Sequence, residues 1–149
     1  MGKRGEGWFI LQLVLFAIIF FAPTVAPFGF PIELRVFGVV ILGIGGILGT
    51  LGLFSLGTNL SPFPKPIDNG QLITHGAYRF VRHPIYAGLI LGTIGWSLFI
   101  GTLLGLGLAL FLFIFFDLKS RQEEIWLTQK YPAYADYQRQ VRKLIPWVY

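Results

Sequence analysis

Apolar side chains fill three long stretches of this chain. Residues 7–32, 36–64 and 83–116 contain no Asp, Glu, Lys or Arg, and together they make up 89 of the 149 residues. A bilayer span needs about 20 predominantly apolar residues, and each stretch exceeds that. The pattern predicts an all-α, multi-pass transmembrane helical bundle of about four spans. One domain, residues 1–149, is expected at this length.

The first span is expected from about Trp8 into the Pro23/Pro27 region, with Trp8 as an interfacial anchor. Lys3 and Arg4, the apolar run and Thr24-Val25-Ala26 also have the make-up of a signal peptide. Pro27 after the cut, and apolar residues continuing to Phe30, argue instead for a retained helix. Pro23, Pro27 and Pro31 punctuate a short loop carrying Glu33 and Arg35. The second span covers roughly Val36 to Leu56, and its Gly45 and Gly49 form a GxxxG pair suited to close helix packing in lipid. As one helix, the third stretch would be about 50 Å long, well beyond a hydrocarbon core of roughly 30 Å. It is therefore expected to be a hairpin, Pro84–Ile100 and Leu103 to about Leu118, broken at Gly101-Thr102.

Composition agrees: 13% of residues are charged, 54% are hydrophobic and the mean hydropathy is +0.67. The positions of the charges add sidedness. Four spans put Lys3 and Arg4, then Lys65, Arg79 and Arg82, then six Lys/Arg from Lys119 to Lys143 on one side, which the positive-inside rule makes cytoplasmic. Both termini would then be cytoplasmic. The net charge of +5 follows from this flanking of apolar spans, so no nucleic-acid partner is expected. After Asp117 the sequence reads as an amphipathic helical tail on the cytoplasmic side. Tyr131-Pro132 starts a second segment of it, with Pro132 near its first turn. There Tyr134, Tyr137, Val141 and Leu144 recur at helical spacing, and Arg139, Arg142 and Lys143 face elsewhere. Such a stripe suits a segment lying along the membrane surface.

Several kinds of chemistry are excluded. No cysteine is present, so disulfides, Cys-ligated zinc and thiol catalysis are out. His75 and His83 alone cannot hold a metal. The glycine-rich second span lacks the G-x-G-x-x-G register of a dinucleotide fold. Residues 57–83 and 117–149 are too short for a separate soluble catalytic domain, so any chemistry sits at the membrane surface or between helices.

Gly76-Ala77-Tyr78-Arg79-Phe80-Val81-Arg82-His83-Pro84-Ile85-Tyr86-Ala87-Gly88 is the most informative segment. Pro84 pre-sets the first turn of a helix and holds the residues before it extended. Arg82 and His83 thus stand at a helix mouth, where open N–H groups and the macrodipole favour an anion. Tyr78 and Tyr86 add aromatic faces. The same two residues would serve equally to anchor the helix to lipid headgroups. A second cluster, Lys119-Ser120-Arg121-Gln122-Glu123-Glu124, reads by itself as a solvated helix end, but four spans return it to the side of His83.

G-x-Y-R-x-V-R-H-P-x-Y-x-G, then E-E-x-x-L about 35 residues on, then Y-x-x-Y-x-x-x-V-x-x-x-I-P, resembles the isoprenylcysteine carboxyl methyltransferase and phospholipid methyltransferase families. Gly57-Thr58-Asn59-Leu60-Ser61-Pro62-Phe63-Pro64 is similar to their bacterial members, so the likeness covers roughly Gly57 to Tyr149. It implies an integral-membrane enzyme that uses S-adenosylmethionine to methylate a lipophilic acceptor, an isoprenylcysteine-type carboxylate or a lipid amine, drawn from the bilayer. The resemblance also aligns Leu72 and Ile73 with a backbone-contacting stretch that would border the cofactor, with Gly70 and Gln71 at its edge. Tyr78, His83, Pro84 and Tyr86 match cofactor-contacting positions and Glu123 the acidic one, with Arg82 beside them. The cofactor's carboxylate suits the basic helix mouth, and its ammonium and sulfonium suit a carboxylate and aromatic faces. The family has a substrate-contacting arginine one turn before the glutamate. Here Lys119 stands in that place and Arg121 follows two residues later. A lipid amine would first have to lose a proton, for which Glu124 or His83 is a candidate.

Two other readings compete. Membrane sterol or enone reductases that use NADPH also carry R-H-P-x-Y, but they usually have Asn where Ile85 stands, and an acidic residue or Trp at Leu89. A non-catalytic membrane subunit could keep the same fold.

Overall fold

The computed structural model describes residues 5–21, 28–146 and 148–149. Lys3, Arg4, Pro23, Pro27 and the Thr24-Val25-Ala26 site lie outside the described residues. The regular elements among the described residues are helices: α1 (Glu6–Phe21), α2 (Ile32–Leu56), α3 (Pro84–Ile100), α4 (Leu103–Lys130) and α5 (Tyr134–Gln140), with single 3-10 turns at Gly57–Asn59 and Gly76–Arg79. Two helical segments are long and apolar enough to cross a membrane, Ile32–Asn59 and Leu103–Lys130, while α1 and α3 are apolar but shorter.

Local chemistry sets the boundaries. Pro31 caps α2, so that helix starts four residues before the expected Val36. Pro84 opens α3 in its first turn. Gly101 closes α3 at φ +81°, a left-handed conformation that suits glycine. Thr102 then opens α4, its hydroxyl accepting from the Gly105 N–H. The hairpin turn at Gly101-Thr102 is where the sequence puts it.

The C-terminal third differs from expectation. The sequence suggests a span ending near Leu118, then a helical tail with a second segment from Tyr131-Pro132. Span and tail are instead one helix, α4, unbroken to Lys130, and the break does fall at Tyr131. No Gly or Pro stands between Asp117 and Lys130 to stop it. At 28 residues it is about 42 Å long, so its C-terminal turns extend past a 30 Å apolar core. The expected surface-lying stripe is also folded in. Tyr134, Tyr137 and Leu144 are buried in the protein, and Leu144 joins the core of Leu15, Ile19, Ala87, Ile90, Leu112, Phe115 and Phe116. Lys143, expected to face away from that stripe, is buried as well.

Small residues weld α2 to α3. A Cβ on Gly88 would stand 2.6 Å from the Gly45 carbonyl oxygen, and one on Gly45 would stand 2.7 Å from the Gly92 nitrogen. The two backbones approach this closely only because both faces lack side chains. α1 leans on α4 through Trp8 against Phe115 and Phe16 against Phe116, ring centroids 5.6 and 6.4 Å apart. Outward faces are apolar: Phe37, Val40, Ile44, Ile47, Leu51 and Phe54 of α2, and Leu110, Phe111 and Ile114 of α4, are exposed. A band of this extent suits lipid rather than water. At the hairpin end, Arg35 donates to the Phe99 carbonyl at 2.8 Å. Most remaining charges gather at the opposite end.

Candidate functional site

At that opposite end α3 begins and α4 finishes. Segment 57–83 and the C-terminal residues close over them, enclosing a cavity of about 270 Å3. Pro84 keeps His83 out of the helical region, at φ −130° and ψ 64°, and the N–H groups of Arg82 and His83 pair outside the helix. Arg82 donates to the Arg142 carbonyl at 2.8 Å and His83 to that of Lys143 at 3.1 Å. This short parallel bridge, Val81 beside Arg142, pins the mouth of α3 to the C-terminal segment.

Consecutive helical residues point about 100° apart, so Glu123 and Glu124 take different partners. Glu124 faces inward. It accepts from Arg82 Nε at 2.8 Å, His83 Nε2 at 3.0 Å and Gln138 Nε2 at 2.9 Å. Arg82 also donates to the Val141 and Gln138 carbonyls, so its guanidinium is largely committed within the protein. Glu123 borders the cavity. Among the described residues it accepts only the Tyr86 hydroxyl, at 2.8 Å, and His83 Nδ1 stands off at 3.9 Å. His83, Tyr86 and Phe116 form one stack, with His83 and Tyr86 5.3 Å apart and Tyr86 and Phe116 4.4 Å apart, nearly parallel. Lys119 lies over it, Nζ 5.2 Å from the Tyr86 centroid.

The cover is tied down by single polar contacts. Asn59 Oδ1 accepts the Gln71 N–H at 2.7 Å, and Lys130 donates to the Ile67 and Asp68 carbonyls. Gly76, at φ +61°, packs against Ser55, whose Oγ accepts the Ala77 N–H at 3.3 Å and leads the chain into Tyr78. Tyr137 donates its hydroxyl to the Tyr78 carbonyl. Burial pushes the phenols of Tyr78, Tyr134 and Tyr137 up, and for Tyr78 the charge of Glu123 adds to the effect. All three are neutral hydrogen-bonding groups at physiological pH.

Ten of the residues singled out from the sequence border this one cavity: Gly70, Gln71, Leu72, Ile73, Tyr78, Arg82, His83, Tyr86, Lys119 and Glu123. Three do not. Pro84 is fully buried behind His83. Glu124 backs the cavity as the partner of Arg82 and His83. Arg121 turns away, its side chain 64% exposed and paired with Asp117 at 2.8 Å. Of the two candidate cations, Lys119 is the one at the cavity. Gln12, Asn59, Tyr134 and Tyr137 also border it and were missed. For Gln12 a signal existed, since it is the only polar side chain of α1 after Glu6, and such a residue in a membrane helix marks a function. Tyr134 and Tyr137 begin the Y-x-x-Y motif that helps to carry the resemblance, but their helical spacing reads as a surface stripe and gave them no role. Among the described residues no cluster of His, Asp and Glu could hold a metal.

A family profile for phospholipid methyltransferases matches residues 34–134. The chain is 29% identical over 115 residues to a probable protein-S-isoprenylcysteine O-methyltransferase of Oryza sativa subsp. indica, covering 74% of this chain and 60% of the relative. It is 28% identical over 119 residues to the protein-S-isoprenylcysteine O-methyltransferase of Homo sapiens, covering 77% and 42%. It thus spans 60% or less of the length of these relatives. Its fold matches that of the eukaryotic intramembrane Ras methyltransferase ICMT with a TM-score of 0.70, at 24% identity over 99% of this chain and 55% of that one. With the matched profile covering well over half its length, the chain belongs to the phospholipid methyltransferase family.

Proposed function

We propose that this protein transfers a methyl group from S-adenosylmethionine to a carboxylate on a lipophilic, isoprenylcysteine-type acceptor. The reading is carried by one observation: Glu123, Tyr86, His83 and Lys119 converge on a polar cavity that adjoins an apolar groove. That groove, of about 480 Å3, runs between α1, α2 and α3 and shares Leu53, Ile85 and Leu89 with the cavity. A water-soluble cofactor and a membrane-borne acceptor can thus meet at a common wall. Topologically the reading is four spans with both termini cytoplasmic, one membrane domain and the polar cavity on the cytoplasmic face.

The residues present fit the cofactor. Tyr134 is buried at the cavity edge with a hydroxyl that has no hydrogen-bond partner among the described residues, which an incoming polar ligand would satisfy. Glu123 keeps lone pairs for an ammonium, and the Tyr86–His83 stack offers aromatic faces to a sulfonium. Bound S-adenosylmethionine supplies an electrophilic methyl group. An acceptor carboxylate is already a nucleophile at neutral pH, so no general base is required. The protein's contribution is then alignment and exclusion of water. Glu124 serves by holding Arg82 and His83 in place.

Titration of the purified protein with S-adenosylhomocysteine, and with NADPH in parallel, tests this. Binding of the first, weakened at least tenfold by Glu123→Gln and by His83→Ala, is expected, followed by labelled methyl transfer to a prenylated cysteine acceptor. Binding of NADPH alone would establish a reductase, and binding of neither in folded protein a non-catalytic subunit. Label in lipid amines would establish the other acceptor class.

A further inference from the structure

Gln12 lies far from every motif in the sequence, yet it is where α1 meets the cavity. Its side-chain oxygen accepts from Lys119 Nζ at 2.5 Å, across 107 residues of sequence. Lys119 is 2% exposed, and among the described residues no carboxylate lies within ion-pair distance of it. Its other neighbours are the faces of Tyr86 and Phe116. An ammonium can only donate, so the Gln12 amide must turn its oxygen toward Lys119. That orientation leaves the amide NH2, which can also only donate, without a partner among the described residues. The remaining Lys119 hydrogens are in the same position.

The result is a patch made only of donors. It carries a buried positive charge that the nearby charge of Glu123, one turn along α4, offsets in part, and the remainder costs free energy. Both residues border the polar cavity, and Phe16, one turn along α1, borders the apolar groove. A ligand whose tail lies in the groove would bring its head to this patch. A carboxylate, which only accepts, would satisfy it, whereas an alkylammonium, which only donates, would be repelled.

We propose that Gln12 is a specificity-determining residue, which fixes Lys119 and shares with it the seat of the acceptor's carboxylate. This rests on the methyltransferase reading for the identity of the acceptor, but the seat itself can be tested by binding alone. The probes are an N-acylated, S-prenylated cysteine and its neutral carboxamide, titrated into the purified protein in detergent. S-adenosylhomocysteine is titrated separately.

Wild-type protein is expected to bind the carboxylate at least tenfold more tightly than the carboxamide. Gln12→Leu, an apolar substitution suited to a membrane helix, should cut that ratio to about threefold or less, with affinity for S-adenosylhomocysteine held within twofold. Gln12→Glu, which brings an internal carboxylate to Lys119, should abolish carboxylate binding and leave the carboxamide bound. An unchanged ratio in Gln12→Leu, or no carboxylate preference in wild type, would overturn the proposal. So would a parallel loss of S-adenosylhomocysteine in both variants, which would mean a merely structural role. A carboxylate preference that Gln12→Leu removes, in a protein that binds no S-adenosylhomocysteine, would instead refute the methyltransferase reading and leave the seat standing.

Discussion

Lys143 Nζ lies 2.6 Å from Asp117 Oδ1, and both side chains are almost wholly buried. Tyr149 donates its hydroxyl to the same carboxylate oxygen at 2.7 Å, and Arg121 holds the other oxygen. This cluster fastens the C-terminal segment to α4. The carbonyl of Lys143 then accepts the His83 N–H, so the clasp reaches the cavity through the backbone.

Removing one member of a buried pair leaves the other uncompensated, at a cost on the order of 3 kcal/mol. Lys143→Met should therefore lower the thermal unfolding midpoint in detergent and weaken S-adenosylhomocysteine binding through His83. Adding Asp117→Asn should recover most of the stability. If the double variant is as unstable as the single one, the pair is not the source of the effect.

Neighbouring glutamates should respond in opposite ways. Glu124→Gln removes the charge that three donors share, and hydrogen bonds to charged groups contribute about 1.5–3 kcal/mol each. It should destabilise the protein and impair cofactor binding together. Glu123→Gln loses one charge-assisted hydrogen bond, from Tyr86, and a longer contact with His83, and should affect S-adenosylhomocysteine affinity with little change in unfolding. Equal destabilisation by the two substitutions would contradict the division of roles.

Glycine substitutions map the α2–α3 contact. Gly88→Ala puts a methyl group 2.6 Å from backbone atoms of Gly45 and Gly49, which cannot move independently, and should cost about 1–3 kcal/mol. Gly43 and Gly46 have open space around them. Alanine there should stabilise by up to about 1 kcal/mol through helix propensity. Unfolding in detergent separates the two groups.

The absence of cysteine makes single-cysteine labelling a clean test of topology. Asn69→Cys, in the segment covering the cavity, and Leu103→Cys, beside the hairpin turn and exposed, should react with an impermeant maleimide from opposite faces of sealed vesicles. The first should be protected in right-side-out vesicles and reactive in inverted ones. Reaction of both from one face would rule out α3 as a span.

Much of the site was legible because its chemistry is local. Arg82, His83, Pro84 and Tyr86 stand in one short run, and Pro84 dictates how that run enters a helix. Glu123 and Lys119 share a helix face. The roles of Arg121 and Glu124 were not legible, because helical spacing says which residues share a face but not what each face meets. Lys119 and Arg121 are equally basic in the sequence. Packing against α1 turned the first inward, and Asp117 drew the second out.

By itself the sequence determined the apolar helices, the hairpin turn between two of them and the end of the bundle that carries the charge. A hydrocarbon solvent tolerates neither charges nor unpaired backbone groups, and proline and glycine set helix ends through their own bond geometry. Both constraints act on short segments and leave a mark there. Only the tertiary structure decided that Gln12 meets Lys119, that Lys143 meets Asp117 and that Tyr134 and Tyr137 roof a cavity rather than rest on a membrane. Those partners are separated by up to 107 residues. Each pairing exists because a polar group taken out of water must find a partner wherever the fold brings one, and no local pattern records where that will be.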